Sequence, residues 1–231
     1  MRAAGHDVHV ETLAPEIPFP FPWPIVEFFD AFPECVQLDA PPLRALEVAA
    51  DTTFDLVILT YQVWYLSPAL PMTAFLKSEE GRKLIDGKPV ITLVACRNMW
   101  LSAQETMKQL IAGAGGRLID HLAFTDQGHP LATFITTPRW VWTGKKNSFL
   151  GLPPAGVSPE EIRQASRFGL ALADGLNNDR EKSGQPMLAG LRAVTVNVRL
   201  AVSERAGRRA FGVWSKLVRL FGKRGQWRRR P

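Results

Sequence analysis

Three clusters of aromatic, cationic and amide side chains follow apolar runs in this chain, at positions where a protein that holds a flat ligand would keep them. The first is Thr60-Tyr61-Gln62-Val63-Trp64-Tyr65, after the apolar run at 56–59. The second is Cys96-Arg97-Asn98-Met99-Trp100, after 90–95. The third is Asp126-Gln127, after 117–124. The rings of Tyr61, Trp64, Tyr65 and Trp100 offer π-faces to stack on a planar ligand, or else pack under a neighbouring helix. Gln62 can hydrogen-bond the edge of such a ring. Arg97 can polarise a substrate oxygen or hold negative charge on a reduced ring; pairing with a surface acid is the plain alternative. Asp126 and Gln127 either line the ligand's edge or cap the next segment. His129 can exchange protons with a ligand, or simply sit at the surface. Cys96 reads as a small buried residue rather than a nucleophile, because no histidine lies near it in sequence. His6, His9, His121 and His129 have no metal-like spacing.

Positioning these clusters requires strands that end where the clusters begin. The runs at 56–59, 90–95 and 117–124 have the composition of strands buried on both faces. A further strand is expected at 8–13. Helices are expected at 69–77, with Ser67 as N-cap and Pro68 at its first position, and at 102–112, stopped by Gly113-Ala-Gly-Gly116. Another should start at Ser158-Pro159-Glu160-Glu161 and run to about residue 175. Strands alternating with helices predict a parallel sheet with helices on both faces, and open sheets of that kind bind ligands at the carboxyl ends of their strands. Five prolines between Pro15 and Pro24 make that stretch a stiff extended segment carrying Phe19, Phe21 and Trp23. Residues 25–32 read as a short helix and 35–50 as a loop with a weakly helical end. The insert at 129–152, rich in aromatic residues, reads as a loop or hairpin that roofs a pocket or meets a second subunit.

Bulk properties narrow the classes. The chain has 231 residues and 46% hydrophobic composition, enough for one packed domain with an appendage. Two cysteines, Cys35 and Cys96, exclude a disulfide framework and predict a cytoplasmic setting. The net charge of +6 conceals an asymmetry: residues 1–184 carry 16 Lys+Arg against 21 Asp+Glu, whereas 185–231 carry 12 against one, Glu204. On a helical wheel of 208–223, Ala210, Phe211, Val213, Trp214, Leu217, Val218, Leu220 and Phe221 occupy one half. Arg208, Arg209, Lys216, Arg219 and Lys223 occupy the other, the pattern of an interfacial membrane helix or of a helix docked on the body. No base-reading motif accompanies the charge, so nucleic acid is not an expected partner.

The order of elements and the loops at 60–67 and 96–100 resemble the flavodoxin-like fold, in particular the branch of NAD(P)H:quinone oxidoreductases. Pro18-Phe-Pro-Phe-Pro-Trp-Pro24, Phe28-Phe-Asp-Ala-Phe-Pro-Glu-Cys35, Cys96-Arg-Asn-Met-Trp100, Thr125-Asp-Gln-Gly128 and Phe134-Ile-Thr-Thr-Pro-Arg-Trp140 are similar to flavodoxin-like proteins of dialkylresorcinol and aryl-polyene clusters. The resemblance implies an FMN site at Thr60 to Tyr65, Cys96 to Trp100 and Asp126-Gln127, with NAD(P)H as a possible reductant. It implies FMN-dependent oxidation–reduction of a quinone-like or cyclic-diketone metabolite, aromatised to a resorcinol. It also implies a ketosynthase as partner. The sequence departs from the family where flavodoxins place their first strand, phosphate loop and first helix.

The fold class expected is therefore α/β, a flavodoxin-like three-layer parallel sheet lacking its first strand and phosphate loop, at 1–176. A linker at 177–186 and a basic amphipathic extension at 187–231 follow. The start reads as the tail of a missing helix, so the natural sequence is expected to extend upstream. The alternative function is a non-catalytic flavodoxin-like scaffold that recruits a ketosynthase to the membrane. An anionic membrane surface met through 205–231, a small hydrophobic metabolite and a homodimer complete the expected partners.

Overall fold

The computed structural model describes residues 1–229. Three parallel strands form its centre: β1 (Val57–Trp64), β3 (Pro89–Cys96) and β4 (Arg117–Thr125). A two-residue strand, β2 (Ser67–Pro68), folds back antiparallel on the end of β1, so the sheet order is β2-β1-β3-β4. The architecture is mixed α/β with a mostly parallel sheet.

Helices cover the sheet unequally. On one face lie α3 (Leu70–Lys77), α4 (Glu79–Ile85) and α5 (Leu101–Gly113). Their apolar side chains enclose Leu59, Tyr61, Val90 and Val94 together with Met72, Phe75, Leu84, Met107 and Ile111. On the other face α8 (Ser166–Asn177) sets Phe168 and Leu172 against Ile91, Ile119 and Leu122. Met187 and Leu188 join that second cluster, so the stretch after the expected linker is core rather than appendage.

The covering stops at β1. Along this strand Leu59 and Tyr61 are buried, while Ile58, Thr60 and Gln62 are exposed on the face opposite. Among the described residues no strand pairs with the outer edge of β1 from Val57 to Tyr61. The expected strand at 8–13 does not form. Glu11 instead accepts hydrogen bonds from the backbone N–H of Glu47 and Val48, at 3.1 and 3.0 Å, which ties this segment to a neighbouring loop and leaves its own ladder groups unpaired with β1.

β4 contains a bulge. Leu118 pairs with Val90 and Asp120 with Ile91, so Ile119 is an extra residue. Ile119 and Asp120 both turn to the α8 side: Ile119 packs in that core, and the Asp120 carboxylate accepts the Leu188 N–H at 2.7 Å.

Several expectations need correction. The helix after β1 starts at Leu70 with Pro71 in its first turn, because Ser67 and Pro68 are used in β2. Residues 32–37 form a helix, α2 (Phe32–Gln37), following α1 (Ile25–Asp30). The insert is no hairpin; it holds α6 (Thr133–Thr143), with Pro138 inside it. The helix expected over 158–175 is two, α7 (Pro159–Gln164) and α8, and Ser158 does cap α7 by accepting the Glu161 N–H at 3.1 Å. The basic helix is α9 (Val198–Arg219), longer at its start than the wheel supposed. No described helix is long and apolar enough to cross a membrane.

Candidate functional site

The first cluster, Thr60 to Tyr65, is not a loop. β1 continues to Trp64 because Gln62 still pairs with Ala95, and alternation along the strand then decides each side chain's fate. Tyr61 points into the core, 5% exposed, and its hydroxyl donates to Gln104 Oε1 at 2.7 Å. Burial raises its pKa further above the ordinary phenol value. Thr60 and Gln62 point to solvent on the uncovered face. Trp64 lies edge-on to Phe19 and Trp23 at 5.0 and 5.1 Å between ring centroids, and its Nε1–H donates to Gln62 Oε1 at 3.1 Å. Tyr65, in a left-handed backbone conformation, packs on Phe28, Phe32 and Phe211, and its hydroxyl donates to the Phe28 carbonyl.

The second cluster splits in the same way. Trp100 is 5% exposed and rests on the His121 ring at 4.9 Å. Arg97 lies over the Phe134 ring at 4.0 Å, and its Nε–H reaches Asn98 Oδ1 at 3.4 Å. Met99 and Val63 are half-buried. Cys96 is half-buried too; burial, aided by the negative charge of Glu204, pushes its thiol up to about 12, so it is no thiolate nucleophile at neutral pH. In the third cluster, Asp126 accepts the N–H groups of Gly128 and Gly156 at 2.7 and 2.6 Å. Gln127 donates to the Pro154 carbonyl at 3.0 Å. Both residues close turns. His129 is exposed and accepts the Leu131 N–H at 3.3 Å.

The three clusters thus stand at the carboxyl ends of adjacent parallel strands, but their rings do not face one another. Trp64 belongs to the Phe19–Trp23 group, and Trp100 to the core beneath His121. Tyr61 and Trp100 do not form the expected exposed aromatic platform, because pairing of β1 with β3 and packing under α3 and α5 inter them.

FMN is tested against this geometry. An isoalloxazine needs two open faces to lie between, and the buried rings supply none. A flavin phosphate needs free N–H groups, best at a helix N-terminus. The N-terminus of α5, at the exit of β3, is already occupied: the buried Glu204 carboxylate of α9 accepts the Ser102 N–H. Glu204 and His121 were not singled out by spacing, because each acts through a partner far away in sequence. The buried rings of Tyr61 and Trp100 and the occupied Ser102 N–H therefore contribute nothing to such a site.

Two other arrangements stand out. One is a buried polar chain: Tyr61 donates to Gln104, Gln104 Nε2 donates to Thr92 Oγ1 at 2.9 Å, and Thr92 Oγ1 and His121 Nδ1 share a hydrogen bond at 2.8 Å. The other ring nitrogen, Nε2, is buried and has no hydrogen-bond partner among the described residues. Burial holds His121 down to about 4, so the ring is neutral near pH 7. The other is a trough of about 620 Å³ along the free edge and open face of β1. Its walls include Val10, Leu13, Phe54, Ile58, Leu93 and Trp64, with Thr12, Thr60 and Gln62 as polar points. The described residues contain no cluster able to hold a metal ion. No protein-family model, curated protein or solved structure matches this chain.

Proposed function

We propose that the chain is a non-catalytic α/β scaffold of flavodoxin-like type, whose working surface is the trough beside β1 and whose occupant is an extended strand of a partner protein. One observation carries this reading. The backbone of β1 from Val57 to Tyr61 has an unpaired outer edge, flanked by exposed Ile58, Thr60 and Gln62. A row of free N–H and C=O groups, one pair from every second residue and so about 6.6 Å apart, is met best by another strand, with side chains filling the trough on alternate positions. Apolar walls with a few polar points suit a strand of alternating character. The resemblance names a ketosynthase as the partner.

The experiment uses a synthetic octapeptide of alternating valine and threonine, with a proline-substituted control. Hydrogen exchange of the Val57–Tyr61 amides is expected to slow at least about tenfold with the peptide and not with the control. Unchanged exchange at saturating peptide would sink the proposal, as would purification of the chain with bound yellow flavin.

The second reading is the FMN-dependent oxidoreductase of quinone-like or cyclic-diketone metabolites. In its favour stands the convergence of Gln62, Arg97, Asn98, Asp126 and Gln127 at one end of three adjacent strands. Equilibrium dialysis against FMN separates the two: retention favours the enzyme, and no retention the scaffold.

A further inference from the structure

α9 carries three faces rather than two. Its first face docks on the body. Glu204, Phe211 and Ser215 lie on it: Glu204 caps α5, Phe211 meets Phe32 edge-on at 5.2 Å, and Ser215 Oγ accepts from Gln37 Nε2 at 2.6 Å. Arg208 beside it donates to the Ser102 carbonyl at 2.6 Å and to Thr106 Oγ1 at 2.9 Å. This satisfies the docking alternative for the helix and consumes Phe211 and Val218 from the expected apolar half.

The second face is apolar and turned to solvent. Val213, Trp214, Leu217 and Leu220 are 61%, 60%, 44% and 80% exposed, and Val202 and Phe221 extend the strip. Spacings of eleven, four and three residues from Val202 through Val213 and Leu217 to Leu220 set these side chains along one side of the helix. The third face is basic. Arg205, Arg209 and Lys216 project along one border of the apolar strip, and among the described residues none of them pairs with a carboxylate.

We infer that this outer side of α9 is a lipid-binding surface for an anionic bilayer, with the helix lying in the plane of the headgroups. Charge complementarity selects the occupant. An apolar strip bordered by unpaired cations matches acyl chains beneath acidic headgroups, whereas a second copy of this chain would set like charges against them. The tail's surplus is large, 12 basic residues against the single Glu204, and that acid is spent on capping α5. Docking holds the helix in place, so binding a bilayer requires no further folding. This surface is separate from the trough beside β1 and stands or falls independently of it.

The test is co-sedimentation of the full chain with phosphatidylcholine vesicles, with and without phosphatidylglycerol. Wild-type protein is expected to pellet with the anionic vesicles and to be released by salt. Leu217→Glu with Leu220→Glu should lower partitioning at least about tenfold. Arg209→Gln with Lys216→Gln should lower it about 25-fold, since each cation near an anionic leaflet is worth about fivefold. All four side chains point to solvent, so circular dichroism should show both pairs folded. Wild-type protein remaining in the supernatant would overturn the inference. So would loss in the cation pair alone, which marks a general polyanion patch. Dissolution of a homodimer by the leucine pair, with vesicle binding unchanged, would also overturn it and assign the strip to a second copy.

Discussion

Glu204, in the middle of α9, accepts the backbone N–H of Ser102 in the first turn of α5 and so caps a helix roughly one hundred residues earlier in the chain. α5 has no side-chain cap of its own, since Trp100 occupies that position. A buried carboxylate against the positive end of a helix dipole is favourable, and its removal strands the Ser102 N–H. Glu204→Ala is expected to lower stability by about 2 kcal/mol, read as a fall in Tm of about 4–8 °C. A variant melting like wild type would show that α9 is not held by this contact.

His121 gives a pH signature. Its folded-state pKa, held down to about 4 by burial, lies below the ordinary 6.5. The unfolded chain therefore takes up a proton first as pH falls. Stability contributed by the neutral ring is complete above about pH 6.5 and is lost progressively toward pH 4, up to about 3 kcal/mol. Chemical denaturation of wild type and His121→Gln at pH 7, 5.5 and 4 isolates this term by difference. Nitrogen NMR of the imidazole should report a neutral ring at pH 7, since burial disfavours its charged form.

Both thiols should be silent in the native state. Burial pushes Cys96 up to about 12 and raises Cys35 as well. An aromatic disulfide reagent at pH 8 is expected to titrate neither thiol until denaturant is added, when it should titrate both. Rapid release of one equivalent from folded protein would contradict the packing around Cys96.

Two glycines make a paired test of close approach. A Cβ on Gly81 would stand 1.9 Å from the Phe75 carbonyl oxygen, where α3 turns into α4. Gly81→Ala should cost about 3 kcal/mol. Gly113, at the end of α5, has open space around it and an ordinary backbone, and Gly113→Ala should gain up to about 1 kcal/mol. Equal melting temperatures for the two variants would refute this account of the α3–α4 junction.

What the sequence disclosed depended on how local the cause was. β3, β4 and α5 were legible because apolar runs and the glycine stop at 113–116 act within a few residues. Ser158 was legible as a cap for the same reason. The stretch from Thr60 to Trp64 was misread because its aromatic residues suggested a binding loop. The period-two pattern, with Leu59 and Tyr61 inward and Thr60 and Gln62 outward, was the signal for strand. α6 was hidden by Pro138 and by β-branched and aromatic residues that favour helix weakly. Its position is set by contact instead: the Val141 carbonyl accepts the Trp23 N–H at 2.8 Å. The trough beside β1 could be anticipated only as an unshielded strand, since its walls come from 9–13, 54–64 and 93–95 at once.

The bulge at Ile119 has a consequence for how β4 tolerates change. One surplus residue shifts the phase of everything after it, so His121 arrives opposite Thr92 and Asp120 arrives opposite the Leu188 amide. Excising Ile119 would leave Leu118, Asp120 and His121 opposite Val90, Ile91 and Thr92, so the deletion would flatten the bulge and remove one apolar side chain from the α8 core without turning the rest of the strand over. A deletion one step past the bulge, at His121, would instead carry Leu122 to the face now held by the imidazole and disturb both cores together.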